Sequence, residues 1–118
     1  MRTTNSDMVA ALAVQGLHGG VGQIRGGTVL DAAELGGGAW RFVDAWILPP
    51  GTSIGSHRHE RGRELYLVLS GRGTMTTNGV PAAVGPGDLV LNEPGDTHAL
   101  ENTGREELRV LVTAVIED

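Results

Sequence analysis

The sequence predicts an all-β domain, a sandwich or barrel of short strands, and three observations carry that prediction. Runs rich in Val, Leu, Ile and Thr recur at roughly eight- to twelve-residue spacing, with turn-forming clusters between them. Nineteen glycines and five prolines supply those turns. Nowhere in the body of the chain does an apolar stripe repeat with the period of a helix.

Taken in order, residues 1–7 (MRTTNSD) are polar and expected to fray, at the start of a single domain spanning residues 1–118 whose barrel core lies at about residues 39–116. Residues 8–14 are apolar, but so short a run does not distinguish a helix from an edge strand. The glycine-studded stretch at 16–27, with His18 inside it, marks turns or a close approach of backbones. Residues 24–30 read as a strand and Gly36-Gly37-Gly38 as a loop. Residues 40–48 form a strand stopped by Pro49-Pro50-Gly51, because proline cannot donate to a ladder. Residues 64–69 form another, closed by Ser70-Gly71. Residues 74–77 and 80–84 flank Asn78-Gly79, the strongest short hairpin signal. The Gly85–Asp88 turn leads into a strand at 89–92, Pro94-Gly95 into one at 97–102, and residues 104–107 into a long one at 108–116.

Composition narrows the chemistry. All nine basic residues are Arg, so Schiff-base lysines and a P-loop lysine are excluded. The absence of Cys excludes disulfides, thiolate metal sites and cysteine nucleophiles. A net charge of −5 disfavours a nucleic-acid partner. The longest apolar run, residues 8–14, is far short of the roughly 20 residues a membrane helix needs. Arg2 and that run loosely imitate a signal peptide, but Asp7 interrupts the pattern, so a cytoplasmic protein is expected.

The remaining chemistry gathers in three places. His57 and His59 are two apart, so on an extended backbone they point to one face. Parity places Glu64, Tyr66 and Val68 on one face of the following strand, and His98, Leu100 and Asn102 on one face of another. If those faces line a barrel interior, three imidazoles and a carboxylate meet at one point. That donor set suits Fe, Mn, Ni, Co or Zn, and the lack of thiolates removes softer alternatives. A lone His-x-His is usually solvated and a lone His98 usually a hydrogen-bonded core residue; the set of four makes metal binding the better reading. Trp40, Phe42 and Trp46 share a parity and form an apolar wall, His18 reads as an exposed loop residue, and Glu60, Arg61 and Arg63 read as a solvated turn.

The segment from Gly51 through His57, His59 and Glu64 to Gly71 resembles the first cupin motif, G-x5-H-x-H-x4-E-x6-G, at every fixed position. The segment from Gly87 through Gly95 and His98 to Asn102 resembles the second, G-x5-P-x-G-x2-H-x3-N, with one departure: Glu93 occupies the proline slot and Pro94 follows it. The resemblance implies a small double-stranded β-helix, a jelly-roll barrel, holding one divalent metal on His57, His59, Glu64 and His98, with Fe(II) the first choice. Four protein ligands leave one or two positions on a metal that prefers five or six. The implied function is a metal-dependent enzyme acting on a small organic molecule, an oxygenase first and a non-redox isomerase, cyclase or decarboxylase second. A non-catalytic small-ligand-binding cupin is the alternative. Tyr66, on the ligand face, and Glu93, at the rim, are the candidate catalytic residues, with a core aromatic and a surface carboxylate as their plain readings. Leu65, Leu67 and Leu69 face away from the ligand side and need cover, which predicts a homodimer.

Overall fold

Along residues 62–70, Glu64, Tyr66 and Val68 are buried while Leu65, Leu67 and Leu69 are at least partly exposed. Such alternation arises when one face of a strand meets a core and the other does not. The same rule organises the whole computed structural model, which describes residues 1–116; residues 117–118 of the expected domain lie outside the described residues. Ten strands are present: β1 (Ala13–Gln15), β2 (Gln23–Asp31), β3 (Trp40–Leu48), β4 (Ser53–Arg58), β5 (Gly62–Ser70), β6 (Gly73–Thr77), β7 (Val80–Val84), β8 (Leu89–Asn92), β9 (Thr97–Glu101) and β10 (Leu108–Ile116). They form a six-stranded sheet in the order β1-β2-β3-β10-β5-β8 and a four-stranded sheet in the order β4-β9-β6-β7, with every pairing antiparallel.

The inner faces of both sheets supply the core. Ile24, Leu48, Val68, Val110 and Leu108 from the larger sheet meet Ile54, Met75, Val84 and Leu100 from the smaller, and Phe42 and Trp46 pack against them. Full burial of such side chains contributes roughly 1.5–3 kcal/mol apiece. A second cluster, Val9, Val29 and Ala45 with Leu111, sits on the outer face of the larger sheet. A 3-10 turn at Ser6–Val9, capped by the Asn5 side chain, covers it.

The sequence reading and the structure agree closely where alternation and turn chemistry are strong. β3, β7, β8 and β10 have the expected bounds, and Asn78 and Gly79 both take positive φ, as a type I′ hairpin requires. The N-terminus differs. Of residues 1–7, expected to fray, Ser6 and Asp7 belong to the 3-10 turn, and the ambiguous run at 8–14 divides between that turn and edge strand β1. Strand β4 was not expected as a separate element, because Ser53–Arg58 lacks an apolar alternation. Its register with β9 shifts between Ile54 and His57, leaving one extra residue on β4. A bulge of this kind re-aims the side chains that follow it.

At that bulge a second 3-10 turn, Leu17–Gly19, lies against β4. A Cβ at Gly55 would run into the His18 carbonyl oxygen, and one at Gly20 into the Ser53 carbonyl oxygen. The two glycines therefore let the backbones touch and fix where His18 sits. Gly55→Ala is expected to destabilise the protein by about 1–3 kcal/mol through overpacking, read as a lower urea midpoint. An unchanged midpoint would show that the turn is not clamped there.

Candidate metal centre

Strand pairing brings the four expected ligands together from both sheets. His57 on β4 lies opposite His98 on β9. Glu64 comes from the other sheet, on β5, where it pairs with Ala114 of β10 and Asn92 of β8. His59 follows the end of β4, and its carbonyl accepts a hydrogen bond from the Gly95 N–H at 2.7 Å. The turn that keeps Pro94-Gly95 thus positions a residue of the first motif from the second, despite Glu93 in the proline slot.

Nε2 of His57, His59 and His98 lies 3.3, 3.1 and 2.7 Å from a single atom, Oε1 of Glu64. One donor atom from each of the four residues falls within 4.8 Å of all the others. Ligands about 2.1 Å from a common ion stand roughly 3 Å apart when adjacent and about 4.2 Å when opposite, so this spacing fits a bound cation. The chemistry fits too. The His57 Nδ1–H donates to the Gly55 carbonyl at 2.9 Å, which turns Nε2 toward the cluster, where it bonds Glu64 or, once deprotonated, can ligate a metal. Nε2 of His59 is buried and near Glu64 but out of alignment for a hydrogen bond with it. Burial opposes ionisation of Glu64, yet hydrogen bonds from His57 and His98 and the fields of His59 and His98 outweigh it and pull its carboxyl down to about 2. Burial likewise pushes His57 down, but the Glu64 carboxylate and the Gly55 carbonyl win and raise it. These residues can hold a divalent metal ion.

A cavity of about 240 Å³ opens on the cluster, walled by Phe42, Trp46 and Tyr66 and also lined by His18 and Asp44. At about 30 Å³ per water it has the room of roughly eight waters, enough for a small molecule and no polymer. Outside it lies a vestibule of about 590 Å³ that shares Phe42, His59 and Glu64 with the inner cavity. Arg41, Arg58, Arg61 and Arg63 line this vestibule, four of the nine arginines in a chain of net charge −5. The segment read as a solvated turn is therefore the mouth of the site. Arg58 pairs with Glu60 at 3.3 Å there. Glu60 and Glu64 line it as well, and Arg63 pairs with Glu93 at 2.7 Å.

The other expected site residues fall unevenly. Tyr66 is buried with its ring 5.7 Å from that of His98. Burial, reinforced by Glu64 and Asp44, raises its phenol far above the usual range, so it keeps its proton and has an O–H to donate. Glu93 accepts a 2.7 Å hydrogen bond from Arg63, and its backbone N–H donates to Asp96, so it is tied into the turn. Asn102 donates to the Leu48 and Glu106 carbonyls and accepts from the Gly104 N–H, which is loop-holding work. Trp40, unlike Phe42 and Trp46, stays 44% exposed outside the cavity.

Two cavity residues escaped the sequence reading. His18, expected on a loop surface, stacks on His57 with ring centroids 3.9 Å apart and adopts φ +52. Burial and the neighbouring His57 lower its pKa. No local signal marks it beyond its glycine neighbours. Asp44 does carry a signal: it has the parity of Phe42 and Trp46, an acid set in an apolar stripe. Its hydrogen-bond partner is Thr28, opposite it on β2, and its Oδ1 is buried with no partner. Leaving such an atom unpaired costs about 1–3 kcal/mol.

Comparison with known proteins accords with this geometry. Residues 45–114 match the cupin domain family. The chain is 31% identical over 103 residues to an oxalate-binding protein of Thermotoga maritima, covering 87% of this chain and 84% of that one. It is similar, with a TM-score of 0.92 and 28% identity over 98% of this chain and 100% of the other, to a crystal structure described as a predicted oxalate decarboxylase from the same organism. A putative sugar phosphate isomerase from Acidithiobacillus ferrooxidans gives a TM-score of 0.68 at 26% identity, over 81% of this chain and 61% of that one. The two antiparallel sheets are those of a double-stranded β-helix, and the chain belongs to the cupin family.

Proposed function

We propose that this cupin binds a small chelating organic acid, oxalate being the simplest, on a divalent metal held by His57, His59, Glu64 and His98. The observation that carries the reading is the convergence of three Nε2 atoms on one Glu64 oxygen at the floor of a cavity of small-molecule size. The similarity to a protein named for oxalate binding supports it. A divalent ion would supply a Lewis-acid centre for two oxygens of the acid. Fe(II) remains the first choice, and Mn, Ni, Co and Zn suit the same donors. The chain supplies the rest. The Gly55 carbonyl sets the His57 tautomer, Gly95 holds His59, the arginine-lined mouth gathers anions, Phe42 and Trp46 exclude water, and Tyr66 offers a proton for a hydrogen bond.

Turnover of the bound acid, by oxygenation or decarboxylation, is the second reading. The four-residue ligand set favours it, because positions stay open on a metal that prefers five or six ligands. Tyr66 would then be the hydrogen-bond donor to the reacting acid, and Glu93 would act only after release from Arg63. Oxygen uptake and carbon dioxide release with Fe(II)- and Mn(II)-loaded protein separate the two readings.

We also propose a homodimer through the outer face of the larger sheet. There Leu65 lies opposite Leu91 and Leu67 opposite Leu89, and Leu69, Leu89 and Leu91 are 44%, 62% and 53% exposed. A contiguous apolar patch of this kind is usual at an interface and unusual on a free surface.

His57→Ala and His98→Ala are each expected to remove most bound metal while circular dichroism still reports a β-barrel. Glu64→Ala should remove less, since imidazoles hold late divalent ions more strongly than one carboxylate does. Full metal content in both histidine variants, by mass spectrometry, would overturn the assignment. Calorimetry should show oxalate binding the metal-loaded protein and at least about 100-fold weaker binding after chelator treatment. Light scattering should give twice the monomer mass, falling to the monomer mass in Leu89→Arg/Leu91→Arg; a monomeric wild type across a wide concentration range would sink the dimer.

A further inference from the structure

We propose that Asp44 contacts the bound acid at the end remote from its chelating oxygens, and that it does so as a neutral carboxylic acid, so that binding takes up one proton. This inference rests on the anion-binding reading above and narrows its substrate class. The ligand is a small acid with at least one oxygen beyond the chelating pair, as in a dicarboxylate or an α-keto acid.

Placement is the first argument. Asp44 interrupts the inward apolar stripe of β3, between Phe42 and Trp46. Across the sheet it lies level with Thr28 of β2 on one side and Val112 of β10 on the other, and Val112 in turn lies opposite Tyr66 of β5. At about 4.8 Å per strand, Asp44 and Tyr66 stand roughly 10 Å apart along the cavity wall. Both line the cavity that His57, His59 and Glu64 also line.

Bonding is the second argument. Thr28 serves the carboxyl group, yet Oδ1 is enclosed without a partner. Buried polar atoms in native proteins are paired, and an exception in a ligand cavity points to a ligand as the partner.

Charge is the third. A divalent ion and the Glu64 carboxylate together carry about one positive charge, which a dianion turns to about one negative. An ionised Asp44 would add a second negative charge between aromatic walls. The groups facing Asp44 do little to compensate. They are Thr28 from β2, Val112 from β10, Glu64 and Tyr66 from β5, His57 from β4, His59 just after it, His18 from the Leu17–Gly19 turn, and Phe42 and Trp46 on its own strand. No arginine is among the residues lining this inner cavity in the described chain. A proton on Asp44 removes the excess charge and gives Oδ1 or Oδ2 a hydrogen to donate. Consistent with this, burial pushes the Asp44 carboxyl up; the Thr28 hydrogen bond opposes the rise and the Glu64 charge adds to it. The proton comes from solvent, and no bond within the ligand breaks.

The test is calorimetry of oxalate binding to Co(II)-loaded protein at pH 7 in phosphate and in Tris, whose different ionisation enthalpies report protons exchanged. Wild type is expected to take up about one proton per oxalate, and Asp44→Asn about none, with affinity kept within roughly tenfold because the amide still donates. Asp44→Ala is expected to weaken binding at least about tenfold, while cobalt content stays at wild-type level in both variants. Equal proton uptake by Asp44→Asn, or equal affinity in Asp44→Ala, overturns the assignment of Asp44 alone. Wild type that fails to bind oxalate overturns the anion-binding reading and this inference with it. A second readout needs no ligand. Because the folded-state pKa of Asp44 lies above its ordinary value, the unfolded chain sheds that proton first, and stability falls as pH rises through the interval between the two. Metal-free Asp44→Asn should therefore melt a few degrees higher than wild type at pH 7, with the gain shrinking as the pH approaches 4. An equal melting temperature at pH 7 overturns the strained burial on which the inference stands.

Discussion

One carboxylate oxygen, Oε1 of Glu64, organises this molecule. It stands on the six-stranded sheet, and two of the imidazoles that face it, His57 and His98, stand on the four-stranded sheet. A buried ionised carboxylate is tolerable only with close and well-aligned compensation. The two sheets must therefore meet at this end in one arrangement. Several otherwise odd features follow. The bulge in β4 sets the direction of His57, the Gly55 carbonyl sets its tautomer, and the turn after β8 reaches back to hold His59. Each is a local irregularity in a regular barrel, and each terminates at the same oxygen.

The fold was legible where a local rule acts alone. β3 alternates and ends on two prolines, β7 follows an Asn-Gly turn, and β10 is a long apolar run. β4 was not legible, because Ser53–Arg58 is held by its pairing with β9 and carries little propensity of its own. The candidate site divides in the same way. Parity and motif spacing placed His57, His59, Glu64 and His98 on inward faces, and the structure brings them together. His18 could not be found that way, since its position depends on Gly20 and Gly55 letting two distant stretches of backbone touch. Asp44 could have been found. The alternation that marks Phe42 and Trp46 as inward-facing runs through Asp44, the one acid on that face of β3.

Charge is distributed against the average of the chain. The net charge of −5 describes the whole surface, whereas the entrance to the cavity gathers four arginines and the interior holds two acids. Under the proposed reading, a small anion would meet the arginines first and then, past Phe42, a region where a cation or protonated groups would receive it. Whole-chain composition therefore does not reveal that arginines gather beside the cavity. The tyrosine and aspartate that line the wall beside the cluster are the groups burial keeps or drives toward the protonated form.

The division of labour along the chain follows from these placements. The four metal-cluster residues all fall within residues 45–114, the part that matches the cupin family. His18, Phe42 and Asp44, which shape the far side of the cavity, all precede it. A shared barrel with a shared ligand set can hold the same ion in many proteins, and such a frame says little about what is bound beside it. Selectivity must then come from whatever faces the ion across the cavity. In this chain that surface is built by β3, which lies between β2 and β10, and by the Leu17–Gly19 turn, which Gly20 and Gly55 clamp against β4. The four-residue cluster thus lies within the family-matched segment, while His18, Phe42 and Asp44 of the facing wall lie before it.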